Sequence, residues 1–301
     1  MPLIDLSVGL GPQDLKKYLT SSQWRLRESA SLALSDLLRG RTFAELGEDL
    51  DELWKIMFRV VDDVKETVRE AALQACKRLQ RCSTQMCKEA GDRGQAAVAI
   101  ILPIMLEVGL VSTVKTVKAI SLQVLVEVSK EAGAALKPHA ASLVLTLLEA
   151  LSGTESGQLD YLANLMNDDH LANVVDDVRT NMARGSPLQA CLDDCIRHID
   201  ADALPQLVPG LVDMIKGGLG VSTRAGAARL VGDLVRQCRE ALQPFCKKLL
   251  KALVAGAACK SAPLQREFAR AFAMLSRVAL AVSRSRFLFD LELADWLAHV
   301  G

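Results

Sequence analysis

The side chains able to do chemistry are few and scattered along a chain of 301 residues. The four histidines are His139, His170, His198 and His299, and none stands at a spacing that would bring two imidazoles to one metal ion. His139 follows Lys137-Pro138 at an expected helix start, where an imidazole caps the helix or faces water. Asp168-Asp169-His170 could set carboxylates beside an imidazole, the raw material of general base catalysis. It falls, however, in a polar, weakly periodic stretch that reads as a solvated loop. Asp176-Asp177 and Asp193-Asp194 are expected on exposed helix faces. Cys191 and Cys195 stand i, i+4 on one face, which is half of a tetrahedral zinc site with no second pair to complete it. Gly217-Gly218-x-Gly220 lacks the preceding strand and the following Lys-Ser/Thr of a phosphate-cradling loop. No Gly-x-Ser-x-Gly or dinucleotide fingerprint occurs. The inventory predicts no enzyme, no cofactor and no metal site.

Charge is the stronger signal. Formal net charge is zero, yet from Glu149 to Asp202 there are 11 Asp/Glu against 3 Lys/Arg, and from Lys216 to Arg286 there are 14 Lys/Arg against 3 Asp/Glu. Within the basic third, Lys247, Lys248 and Lys251 share one expected helix. Arg266, Arg270 and Arg277 follow at i, i+4 and i+11 on the next. Two readings stand side by side: the solvated face of a helical array, or a docking strip for an acidic protein surface. Between Lys216 and Arg286 the only aromatics are Phe245, Phe268 and Phe272, so a base-stacking platform is unsupported and contact with nucleic acid would be through phosphates alone.

The eight cysteines contain no Cys-x-x-Cys, and most fall in expected helices, where a free thiol behaves as a small apolar group. This usage suits a reducing compartment, cytoplasmic or nuclear. Met1 to Leu10 is apolar without a basic leading region. The longest apolar run, Ala96 to Leu106, is broken by Pro103 and falls short of the ~20 residues of a membrane span, so no membrane insertion is expected.

The elements that would carry these residues are helices in pairs. Half of the chain is apolar and 4% aromatic, dominated by Leu, Ala and Val; that balance favours helix over strand. Leu50, Leu53, Trp54, Met57, Phe58 and Val61 make one stripe, and Val64, Val68, Ala71, Ala75 and Leu79 make the next. Between them Asp63 with Glu66 reads as a capping box. Pro103 and Pro209 each fall inside a first helix and predict kinks; Gly109 and Ser112, then Gly217, Gly218 and Gly220, mark the stops and restarts. The pattern Trp24-Arg25-Leu26-Arg27-Glu28 returns at Thr67-Val68-Arg69-Glu70, at Thr116-Val117-Lys118, near Arg224, and at Leu264-Gln265-Arg266-Glu267. Arg27 to Arg69 and Arg224 to Arg266 are each 42 residues, within the ~40–47 of HEAT and armadillo units. The expectation is therefore all-α: one HEAT-repeat α-solenoid, an armadillo-like superhelix over residues 1–301, of roughly six or seven units. Residues 152–186 are expected to be a degenerate repeat or a longer loop. Arg27, Arg69 and Arg266 are expected to pair with acidic residues in the turns of their own or the preceding repeat, in exposed ion pairs of ~0–1 kcal/mol.

The residues also carry a family resemblance. Trp24 to Arg41, Leu53-Trp54-x-x-x-Phe58-Arg59-Val60-x-Asp62-Asp63-Val64-Lys65-Glu66-x-Val68-Arg69, Ala132-Gly133-Ala134-x-Leu136-Lys137-Pro138-His139-Ala140, and Leu207-Val208-Pro209-x-Leu211 with Lys216-x-Gly218 resemble, collinearly over about residues 20 to 280, the C-terminal part of the proteasome adapter and scaffold protein family. Met1 to Leu19 and the tail 287–301, with Phe287-Leu288-Phe289, depart from that pattern. The resemblance implies a non-enzymatic scaffold whose partners are proteasome particles, linking core and regulatory particles and supporting assembly quality control. The competing expectation is a helical array for transport or the cytoskeleton, importin-like or tubulin-binding. Trp24 and Trp54 sit on helices rather than in the loops such arrays use.

Overall fold

Helix-forming composition on a 3.6-residue period produces helices throughout the computed structural model, which describes residues 11–153, 169–218 and 220–282. Among the described residues there is no strand. The chain divides into two units, Met1–Lys137 and Pro138–Gly301.

The first unit contains α1 (Pro12–Leu19), α2 (Trp24–Leu37), the short α3 (Phe43–Leu46), a 3-10 turn at Gly47–Asp49, α4 (Leu50–Val60), α5 (Glu66–Cys87), α6 (Asp92–Pro103) and α7 (Lys115–Glu131). First helices α1, α4 and α6 stack on one another, and second helices α2, α5 and α7 do the same, so that each pair is one rung of two parallel layers. Between the layers lies the predicted stripe of α4: Leu50, Leu53, Trp54 and Met57 are completely buried. The Trp54 ring meets that of Phe58 at 5.5 Å between centroids, and its Nε1 donates to Ser83 Oγ of α5 at 3.1 Å. On α5, Val68, Ala71, Ala75 and Leu79 are buried as expected, but Val64 is 91% exposed. It belongs to the turn, one residue before the N-cap Lys65, where helical periodicity does not apply.

The expected capping box at Asp63 and Glu66 does not form: the N-cap is Lys65, with no side-chain cap. Asp63 Oδ1 accepts instead from the Lys65 backbone N–H at 2.9 Å. The same arrangement opens the other second helices of this unit. Ser21 Oγ accepts from Gln23 N–H at 3.2 Å and Ser112 Oγ from Val114 N–H at 3.1 Å, each two residues before its N-cap. Six residues after each acceptor stands the basic marker: Arg27, Arg69, Lys118. Arg27 Nη1 donates to the carbonyls of Ser21 and Ser22 at 2.8 and 3.1 Å, and Arg69 Nη1 repeats this on Asp63 and Val64 at 2.8 and 3.1 Å. The marker therefore closes its own turn. Arg27 also reaches forward, donating Nε and Nη2 to the two Asp63 oxygens at 2.6 and 2.9 Å, so the pairing runs to the following repeat rather than to its own or the preceding one. Arg69 pairs with carbonyls and forms no such bridge among the described residues. Arg69→Glu should consequently cost about 1 kcal/mol, the ordinary worth of a hydrogen-bond set at a half-buried site; urea denaturation of the purified chain measures it, and a loss above about 3 kcal/mol would overturn this account.

Pro103 ends α6, and the chain continues as a π-helical segment, Ile104–Gly109, before α7 begins. Gly109 is needed for close approach: a Cβ there would stand 1.9 Å from Ser121 Oγ on α7.

The second unit contains α8 (Ala140–Gly153), α9 (Asp169–Arg184), α10 (Pro187–Ile196), α11 (Leu204–Gly217), α12 (Val221–Cys238), α13 (Gln243–Ala257) and α14 (Ala262–Val282); the 3-10 segment Gly133–His139 leads into it. First helices α8, α11 and α13 stack, α12 and α14 form the second layer, and α9 lies against both α12 and α14. Unlike α6, α11 runs on through Pro209 to Gly217, and Gly220, at φ 120°, is the N-cap of α12. Ser186 caps α10 by accepting from Gln189 N–H at 3.2 Å. The weakly periodic stretch 152–186 carries α9; its residues 154–168, and the tail 287–301, lie outside the described residues. Gly133–Ser152 has the length and composition of a membrane span, which the reading of apolar runs passed over. In this unit its Leu143, Val144, Leu147, Leu148 and Leu151 are buried core.

Candidate functional site

The six basic residues expected as a partner-binding face are all exposed and lie, as two sets, on consecutive helices. Lys247, Lys248 and Lys251 lie on α13, in the layer of first helices, and none has a hydrogen bond or ion pair among the described residues. Arg266, Arg270 and Arg277 lie on α14, in the second layer. Arg270 Nη1 reaches Glu267 Oε1 at 3.0 Å, and Arg266 Nη2 stands 3.6 Å from Asp177 Oδ1 on α9. Arg277 lies further along α14 beside Arg239 and Met274. The partner of Arg266 comes from the stretch the sequence left weakest. Glu267, 6% exposed, also accepts from Arg184 Nη2 of α9 at 2.5 Å. Asn173 Oδ1 of α9 accepts from Ala262 N–H at 2.8 Å, at the start of α14. Neither Arg184 nor Asn173 stood out in the sequence. The available signal was the segregation of charge, since an acidic stretch and a basic stretch in one chain are natural neighbours.

Arg224, read as a repeat marker, has a structural task. Its Nε donates to Ile215 O at 3.2 Å and its Nη2 to Gly256 O at 3.0 Å, and the guanidinium lies 5.4 Å from the centroid of the Phe268 ring. It thus caps the negative ends of α11 and α13 together and ties consecutive repeats.

Among the described residues the groups capable of catalysis do not converge. All eight cysteines are free; Cys76, Cys82, Cys87, Cys191, Cys195 and Cys246 are buried, and only Cys259 lies outside a helix. Burial pushes the Cys76 thiol up to about 12, Cys82 to about 11 and Cys87 to about 12. Cys195 is raised by its hydrogen bond with Cys191 and then by burial. Such thiols stay protonated at neutral pH and are poor nucleophiles. His139, at the end of the 3-10 segment, and His198, in a turn, are half-buried, and the side chains of His170 and His299 lie outside the described residues. Among the described residues no three His, Cys, Asp or Glu side chains gather as a metal site would require.

Comparison with known proteins gives one consistent result. Residues 136–292, about half of the chain, match the family described as "Proteasome adapter and scaffold protein ECM29, HEAT-repeat domain". The human proteasome adapter and scaffold protein ECM29 is 41% identical over 281 residues, covering 93% of this chain and 15% of its own length. The ECM29 homologue of Drosophila melanogaster is 26% identical, covering 93% and 16%. The proteasome component ecm29 of Schizosaccharomyces pombe is 28% identical, covering 88% and 16%. The chain thus spans about one sixth of the length of these relatives. Among solved structures, a designed armadillo repeat protein covers 88% of this chain at a TM-score of 0.35 and 12% identity.

Proposed function

We propose, because this chain belongs to the ECM29 family of HEAT-repeat proteasome adapters and scaffolds, that it is a non-enzymatic binding module that docks on the proteasome. The observation that carries this reading is the likeness to the human adapter along nearly the whole chain. The geometry agrees with it. Helix pairs stacked in layers offer long exposed faces. In the fuller form of the proposal, the module helps link or stabilise core and regulatory particles, contributes to assembly quality control, and works in the cytoplasm and nucleus. The surface most available for an acidic partner is α13, whose three lysines carry unsatisfied positive charge.

Affinity purification of the tagged chain from a reducing cell extract, read by mass spectrometry, tests both levels. Proteasome subunits should be enriched, and K247E/K248E/K251E should lower their capture by about tenfold at low salt, with a smaller effect at high salt. Absence of proteasome subunits from the wild-type capture would defeat the docking proposal. Unchanged capture by the triple variant would leave docking standing and remove α13 as its surface.

A further inference from the structure

Between α9 and α14 lies a polar cavity of about 150 Å3, several times the ~30 Å3 share of one water. Its wall holds Asp177, Asn181 and Arg184 from α9, and Arg266, Glu267 and Arg270 from α14. Thr180 also lines it; this side chain is 3% exposed, and its Oγ1 has no hydrogen-bond partner among the described residues. The donors are in excess. Arg184 and Arg270 both direct a nitrogen at the same Glu267 oxygen, and Arg266 donates Nε to Ala262 O at 3.3 Å but is too far from Asp177 for a hydrogen bond. Most of the N–H groups on these three forks are therefore unspent. Three cations against two carboxylates leave the wall positive. Arg229, whose buried nitrogens have no hydrogen-bond partner among the described residues, adds to the positive potential near Glu267 and Arg184.

We infer that this cavity binds a dianionic phosphoryl group presented by a phosphorylated peptide. Guanidinium forks match phosphate oxygens in pairs, and a hydroxyl with an amide beside them can serve the remaining oxygens. A carboxylate, with two oxygens in place of three, would accept fewer of the free donors. The peptide assignment rests on what adjoins the cavity. Val174, Val178 and Met182 of α9 are exposed and form an apolar ridge about 100° around the helix from the row Asp177–Asn181 that walls the cavity. A phosphate in the cavity would place flanking apolar side chains on that ridge. The cavity is independent of proteasome docking.

The test is fluorescence anisotropy of the full chain with a labelled phosphoserine peptide flanked by leucines, its unphosphorylated counterpart, and inorganic phosphate as competitor. The phosphopeptide should bind saturably and about tenfold more tightly than its counterpart, and R266A/R270A should lose about tenfold. Thr180→Val, a change of shape by almost nothing, should weaken the phosphopeptide and leave the counterpart alone, and it serves if the double arginine variant is poorly folded by circular dichroism. Equal affinity for the two peptides, or wild-type affinity in folded R266A/R270A, overturns the site. Binding of inorganic phosphate without binding of the phosphopeptide overturns the peptide assignment.

Discussion

Replacing Trp54 with alanine is expected to destabilise the chain by about 3–5 kcal/mol, the largest loss of any single change considered. Trp54 is completely buried in the stripe of α4, in contact with the Phe58 ring. Truncation removes the largest side chain among the fully buried ones and opens a cavity that neighbouring helices, tied on both sides, can close only in part. It also orphans Ser83, itself fully buried, whose hydroxyl accepts from the indole N–H. Trp54→Phe separates the two effects. It keeps most of the volume but abandons Ser83, and should cost about 1–3 kcal/mol. Urea denaturation followed by far-ultraviolet circular dichroism gives the total, and hydrogen exchange should show the loss of protection greatest in α4 and α5. A loss below about 1 kcal/mol for Trp54→Ala would mean that the rung is not held by this residue.

The success of the α4 stripe and the failure at Val64 have one cause. Apolar periodicity is a local property, so it reports faithfully on residues inside a helix. It says nothing of where the helix starts, and Val64 stands at helical spacing from Val68 while lying in the turn. The start differs from the expected one because Asp63 serves the Lys65 N–H two residues on, whereas its dominant partner, Arg27, is 36 positions away. Only the stacking of consecutive pairs brings them together. The basic residues repeat the lesson on a larger scale. Their spacing correctly gave exposed faces on α13 and α14, but spacing within helices cannot tell which layer each helix joins. Nor could it tell that α9, from a stretch with poor periodicity, would lie over Arg266 and Arg270. The repeat length was legible because the turn acceptor and the basic residue six positions later are one local unit, copied from repeat to repeat.

The bridge between Arg27 and Asp63 leads to the second large effect. A fully exposed pair would contribute ~0–1 kcal/mol, but the Asp63 side chain is 8% exposed and that of Arg27 18%. A bidentate pair at such a site lies between that figure and the ~3–5 kcal/mol lost on breaking a fully buried one, so Asp63→Asn should cost about 2 kcal/mol at pH 7. Asparagine can still accept from Lys65 N–H, so the loss reports mainly on the charge facing Arg27. The hydrogen bonds from Arg27, helped by the Lys65 N–H and opposed by burial, hold the Asp63 carboxyl below the usual carboxylate range. A depressed folded-state value means that the unfolded chain takes up the proton first. The bridge therefore contributes its full stability above the ordinary aspartate value of ~3.9, and that contribution fades as pH falls through the lower folded value. The gap between wild type and Asp63→Asn should stay constant from neutral pH down to about 5 and narrow below about 4. Arg27→Ala strands a nearly buried carboxylate, so its effect should exceed that of the asparagine variant and should relax on the same acid limb. Melting curves of the three proteins across that range decide the matter. A wild-type advantage that grows as the pH is lowered would place the proton on the wrong state and remove the bridge as the tie between the first two repeats.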